Sequence, residues 1–220
     1  MIPRSVGIVV AALALGCAPA SAQAGGAEQA RTLMERAAAR YDSVPSLCAD
    51  FVQTLSVPLL GEERSGRGRL CQARPDRFAM RFTEPAGDAV VVDGTWVWMY
   101  YPSVNPDQVL RFPMAQAQGG FDFHRAFLED FAAKYDLTLE GTDSLDGGSA
   151  HRIRLDPKTS MSFRRAVVWV ESSGILRQIR VEEENGSVRT LKLDRVDMGA
   201  RPPVGWFTFT VPAGVQILSG

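Results

Sequence analysis

From Leu47 onward the chain changes period, and that change dictates its fold class. Leu47, Ala49, Phe51, Gln53 and Leu55 alternate with Cys48, Asp50, Val52 and Thr54; Phe78, Met80 and Phe82 alternate with Arg77, Ala79, Arg81 and Thr83. A repeat of two puts successive side chains on opposite faces of a β-strand. Similar runs follow at Gly66 to Gln72, Ala89 to Val92, Trp96 to Tyr101, Gln108 to Phe112, Leu137 to Glu140, Ala150 to Leu155, Arg165 to Glu171, Leu176 to Glu183, Val188 to Val196 and Trp206 to Thr210. Turns at Asp93-Gly94, Gly147-Gly148, Ser173-Gly174 and Asn185-Gly186 separate them, at a spacing of about 10–14 residues. That rhythm predicts one antiparallel sheet or barrel. Two stretches keep a helical period instead. In Ala27 to Ser43, the residues Ala30, Leu33, Met34, Ala37, Ala38 and Tyr41 recur at steps of three and four, before Pro45 ends the run. The second stretch runs from about Phe121 to Tyr135. The prediction is a mainly β chain with helices (α+β): a single, strongly bent antiparallel sheet whose concave face the helices cover.

The first twenty-odd residues read as an address. Arg4 is followed by an apolar run of about ten residues from Val6 to Leu15, too short for a spanning helix, which needs about 20. Ala20-Ser21-Ala22 has the small-x-small form of a cleavage site, which makes residues 1–22 a signal peptide and 23–220 the mature domain. A competing reading takes Ala14-Leu15-Gly16-Cys17 as a loose lipobox, with Cys17 acylated and the protein anchored. Either way the mature chain leaves the cytoplasm. Export changes the meaning of the cysteines, because Cys48 and Cys71 then remain as an even pair in an oxidising compartment. They flank a hairpin turn near Leu60-Gly61-Glu62-Glu63 at similar distances, which predicts a disulfide across it; two separate buried thiols are the alternative.

Composition excludes several functions. A net charge of -1 offers no footprint for nucleic acid. Two His and three Cys leave almost no means of building a zinc site, and no cofactor is predicted. There is no G-x-S-x-G elbow, HExxH, phosphate loop or CxxC. His124 and His151 have no neighbouring nucleophile and read as ordinary surface or loop histidines. The chain reads as a binding protein and not an enzyme. An esterase with an apolar pocket, needing a nucleophile brought near either histidine, is the enzymatic alternative.

Large apolar side chains crowd the first half: Phe51, Leu55, Phe78, Met80, Phe82, Trp96, Trp98, Met99, Tyr100, Phe112 and Met114. Most are expected to be core. A bent sheet under helices need not fill its interior, however, and each CH₂ of an acyl chain moved into such a hollow gains about 0.8 kcal/mol. Flexible Met side chains suit a cavity that repacks around variable chains. The candidate lining is Phe51, Leu55, Leu70, Phe78, Met80, Phe82, Val90, Val92 and Trp98 from strands, with Leu33, Met34 and Phe127 from helices.

A series of short motifs carries a resemblance. Asp50-Phe51-Val52-Gln53-Thr54, Gly66-Arg67-Gly68-Arg69-Leu70, Arg74-Pro75-Asp76-Arg77-Phe78, Pro85, Val92-Asp93-Gly94, Val97-Trp98-Met99-Tyr100, Tyr101-Pro102 and Phe207-Thr208-Phe209-Thr210-Val211-Pro212-Ala213-Gly214-Val215 occur in this order. The order and spacing resemble the periplasmic outer-membrane lipoprotein carrier family, LolA, from about Leu47 to Val215. The resemblance implies an unclosed β-barrel with a helical lid and a monomeric carrier. Such a carrier receives acylated lipoproteins from an inner-membrane ABC transporter and passes them to an outer-membrane acceptor. It also implies that Arg74, in the family's R-P-x-x-F motif, hydrogen-bonds the lid in the closed state, with Phe78 closing the motif and Met80 at the next inward position. The Cys48/Cys71 pair is not a general family feature. An acylated Cys17 would instead fit the anchored acceptor family, LolB, of similar fold. A periplasmic lipid-sensing regulator of an anti-sigma factor is a further reading.

Overall fold

The computed structural model describes residues 20–116 and 123–220. The signal peptide and Cys17 lie outside these residues, apart from Ala20 to Ala22, whose backbone opens the first helix. Helix α1 (Ala20–Asp42) is followed by strands β1 (Ser46–Val57), β2 (Glu62–Ala73), β3 (Arg77–Glu84), β4 (Ala89–Asp93), β5 (Trp96–Tyr100) and β6 (Gln108–Pro113). A π-helical turn (His124–Leu128) and α2 (Phe131–Lys134) lead into β7 (Tyr135–Leu145), β8 (Gly148–Pro157), β9 (Phe163–Glu171), β10 (Leu176–Glu183), β11 (Val188–Met198) and β12 (Gln216–Ser219).

All twelve strands form one sheet in the order β12-β6-β5-β4-β3-β2-β1-β11-β10-β9-β8-β7, and its two ends do not pair. Strand β1 sits in the middle. On one side the chain meanders outward through β2 to β6. On the other it begins at the far edge with β7 and meanders back until β11 pairs with β1. The segment between β6 and β7 therefore joins strands near opposite ends of the sheet. Val97 of β5 and Ile153 of β8 belong to one buried cluster although they lie far apart in the strand order, so the sheet curves round a shared interior. The fold is the open, strongly bent sheet that the periodicity predicts.

The alternation of β1 fixes its faces. Leu47, Ala49 and Phe51 point inward to the main core, whereas Cys48 points outward. Ala30, Leu33, Met34, Ala37 and Tyr41 of α1 join the same core, as the helical period predicts. Burying a Leu- or Phe-sized side chain contributes about 1.5–3 kcal/mol, so this one stripe accounts for much of what holds the helix on the sheet.

Two features differ from the sequence reading. Trp206 to Thr210 is not a strand. It crosses the outer face as a strap, with Trp206, Phe207 and Phe209 packed on Ala79, Ala89 and Val91. The Arg81 guanidinium donates to the carbonyls of Trp206 and Thr208, both at 2.9 Å, so the strap is held by a side chain and not by a ladder. The last strand is β12 instead, which pairs parallel with β6.

Candidate functional site: a latched helical lid

Helix α1 ends at the rim of the sheet beside the turn that joins β2 to β3. The last carbonyls of any helix lack intrahelical partners, and the dipole makes that end attractive to a cation. Arg74 meets both demands. Its Nη2 donates to Tyr41 O at 3.2 Å and to Asp42 Oδ1 at 2.6 Å. The Arg74 main-chain N–H donates to Pro45 O at 2.9 Å, which ties the rim to the connection between α1 and β1. Strand β2 ends at Ala73 and Pro75 follows Arg74, so the guanidinium stands clear of the ladder.

His124 completes the cluster. Sequence reasoning places it at the surface, but it is 7% exposed, with Nε2 3.0 Å from Asp42 Oδ1 and 3.4 Å from Arg74 Nη2. A carboxylate oxygen only accepts, so the shorter contact assigns the proton to His124 Nε2. The approach of Arg74 is then a close contact and not a second hydrogen bond. Next to this group, Asp76 Oδ1 pairs with Arg125 Nη2 at 2.7 Å, tying the π-helical turn to the same rim. A cleft of ≈ 10 Å³ lined by Tyr41, Leu47, Gln72, Arg74 and His124 has room for about one water. His151, the other histidine, lies elsewhere, with Nδ1 3.1 Å from Thr142 Oγ1.

The Arg74 hydrogen bond, aided by the charge of His124, holds the Asp42 carboxyl below its ordinary value of 3.8, against a smaller opposing effect of burial. A depressed carboxyl pKa contributes stability that is present above the unfolded value and lost as pH falls through the folded one. The Asp42 carboxylate is therefore ionised at neutral pH, and its contribution is lost only as pH falls below 3.8. Asp42→Asn is expected to flatten the acid limb of a stability profile in that range. Superimposable acid limbs for the two proteins would refute the assignment.

Behind the latch lies the candidate lining. Leu33, Met34, Phe51, Leu70, Phe78, Met80, Phe82, Val90, Val92 and Phe127 all fall in the one main core cluster. Two candidates do not. Trp98 faces outward: its ring stacks on Phe209 with centroids 5.4 Å apart, and its Nε1 donates to Asp93 Oδ2 at 2.8 Å. Its neighbours Val97 and Met99 point inward in its place. Leu55 is half-buried and outside the cluster. The ten clustered side chains pack on one another and on the helices. Phe51 meets Phe82 edge-on at 4.9 Å, and Phe127 meets Phe163 at 5.9 Å.

On the outer face, Cys48 and Cys71 are disulfide-bonded between directly opposed residues of β1 and β2, beneath Ala200, Trp206 and Phe207. Among the described residues no group of three or more His, Cys, Asp or Glu is placed to hold a metal, and no helix is long and apolar enough to cross a membrane.

The model of the family described as outer membrane lipoprotein carrier protein LolA matches residues 42–210. The chain belongs to the LolA family. The match begins at Asp42, so the rim and the π-helical turn fall inside it while most of α1 precedes it. The outer-membrane lipoprotein carrier protein of Methylibium petroleiphilum is 28% identical over 171 residues, covering 78% of this chain and 81% of its own. That of Leptothrix cholodnii is 27% identical over 218 residues, covering 98% and 96%. Among solved structures, an uncharacterized conserved protein from Thermus thermophilus has a TM-score of 0.54 at 17% identity, covering 87% of this chain and 99% of its own. MucB has a TM-score of 0.50 at 17% identity, covering 88% and 66%. At these identities the structural likeness is one of fold. The segment Arg74-Pro75-Asp76-Arg77-Phe78 supplies a guanidinium for the end of α1, a carboxylate for Arg125 and a core aromatic. The sequence reading misses Asp42, Tyr41 and His124 as latch members. One signal is available: an acidic residue in the last turn of a helix opposes the dipole, and a broken local rule marks a site.

Proposed function

We propose that this protein is a periplasmic carrier that shields the acyl chains of lipoproteins and moves them from the inner to the outer membrane. Arg74 latches its lid, and Phe51, Leu70, Phe78, Met80, Phe82, Val90 and Val92, with Leu33, Met34 and Phe127 of the lid, receive the chains. The observation that carries the reading is the family match over residues 42–210, which spans the strands and rim bearing this apolar face. The names of these relatives, outer-membrane lipoprotein carrier proteins, suggest the cargo class. An inner-membrane ABC transporter as donor and an outer-membrane acceptor belong to the same proposal.

The energetics suit transient carriage. Opening breaks hydrogen bonds to a charged group, each about 1.5–3 kcal/mol, and uncovers part of the apolar core. Each buried CH₂ returns about 0.8 kcal/mol, so one chain of about 16 carbons brings roughly 13 kcal/mol before those costs. The surplus is enough to hold cargo in water, and a better apolar site on an acceptor is enough to take it.

Native mass spectrometry with an acylated lipoprotein, and with the same protein lacking its acyl chains, tests this. Only the acylated form is expected to bind. Equal binding of both would overturn the carrier reading.

A further inference from the structure

The lid consists of two segments that are remote in sequence, α1 and the π-helical turn, and both end on one carboxylate. Asp42, at the end of α1, receives the Arg74 Nη2 donor at 2.6 Å and faces His124 Nε2, on the first residue of the π-helical turn, at 3.0 Å. The turn at residues 74–76 holds each segment separately as well: Arg74 reaches Tyr41 O of α1, and Asp76 pairs with Arg125 of the π-helical turn. An apolar contact repeats the join, with the Tyr41 and Phe123 rings edge-on at 5.6 Å.

We propose that Asp42 is a positioning residue that couples the two lid segments, so that α1 and the π-helical turn open together, with Arg74 as their common anchor on the sheet. The inference rests on the carrier reading, since it concerns access to the same interior. Met34 of α1 and Phe127 of the π-helical turn lie in one buried cluster, so an incoming chain must clear both segments. Loss of the carboxylate charge would leave His124 and Arg74 facing at best a neutral amide oxygen in place of an ionised acceptor. An acidic residue at this end of a helix otherwise works against the dipole, and its two donors offset that cost.

Hydrogen exchange on the purified protein without cargo tests the coupling. Asp42→Asn is expected to raise exchange about 3–10-fold in both segments, residues 30–42 and 123–128, as fits a partly exposed ion pair. Asp42→Glu, which keeps the carboxylate, is expected to stay within about two-fold of the parent. The double variant Asp42→Asn with Arg74→Leu is expected to match Arg74→Leu alone, because both break one unit. Raising NaCl from about 0.05 to 0.5 M should speed lid exchange more in the parent than in Asp42→Asn, where only the Asp76–Arg125 pair is left to screen. Faster exchange in α1 only, no change in either segment, or strictly additive effects would overturn the proposal. So would an equal rise in the core strands β8 to β10, which would mean general loosening. Cargo plays no part in this measurement: failure of acylated lipoprotein to bind would sink the carrier reading alone, and independent opening of the segments would sink the coupling alone.

Discussion

Gly68→Ala is expected to lower stability by about 3 kcal/mol, at the upper end of the cost of forcing extra atoms into a packed fold. A Cβ at this position would lie 2.1 Å from Arg81 O and 2.8 Å from Phe82 Cα, both backbone atoms of the neighbouring strand. No rotamer change relieves such an overlap, so β2 and β3 must part. The ladder is already irregular here, with a register shift between Arg67 and Gly68 opposite β3. Parting the strands would also disturb the Arg81 side chain that holds the Trp206 to Thr208 strap. Gly25→Ala is the control: its Cβ would meet nothing within 4 Å, and the change is expected to shift stability by no more than about 0.5 kcal/mol. Urea unfolding of the three proteins measures this. A cost below about 1 kcal/mol for Gly68→Ala would show that the strands separate without strain.

The motif Gly66-Arg67-Gly68 illustrates what the sequence makes legible. Period-two alternation is enough to place β1 to β3, their turn and the opposition of Cys48 to Cys71, because in a half-buried strand one register fixes every face. It fails where both faces are apolar. In Trp96-Val97-Trp98-Met99-Tyr100 every residue is large and hydrophobic, so the pattern does not tell the interior from the outer strap, and Trp98 falls on the side opposite to the expected one. The Trp206 to Thr210 run misleads for a related reason. Its apolar residues are buried against the outer face, but its carbonyls are satisfied by Arg81, a partner more than a hundred positions away. The short strand β12, with four exposed residues, has no pattern to reveal it. The latch is half legible. Arg74 comes through the motif, whereas Asp42 reaches it from the end of α1 and His124 from the far-removed segment between β6 and β7. The sequence does not distinguish a lined hollow from a packed core, since the same apolar residues can form either.

Removing the disulfide by Cys48→Ala with Cys71→Ala is expected to cost roughly 3 kcal/mol, from the loop entropy returned to the unfolded chain. The bond closes a separation of 23 residues, and the chain-entropy relation gives roughly 3.4 kcal/mol for a loop of that size. Its position focuses the effect on the functional rim. Cys48 and Cys71 are opposed two steps from the last β1–β2 pair, Ser46 with Ala73, beyond which the Arg74 N–H donates to Pro45 O. The bond thus clamps the end of the hairpin that bears both the latch arginine and the connection to the lid helix, where an unbraced ladder would fray first. The expected signature is a lower urea midpoint together with faster exchange of the amides at Ala73 and Arg74, while the far end of the hairpin, near Gly61, changes little. An unchanged midpoint would remove the entropic argument. Equal loosening along the whole hairpin would remove the argument from position: the disulfide would then stabilise the sheet in general and do nothing particular for a latch that must hold its shape through each opening.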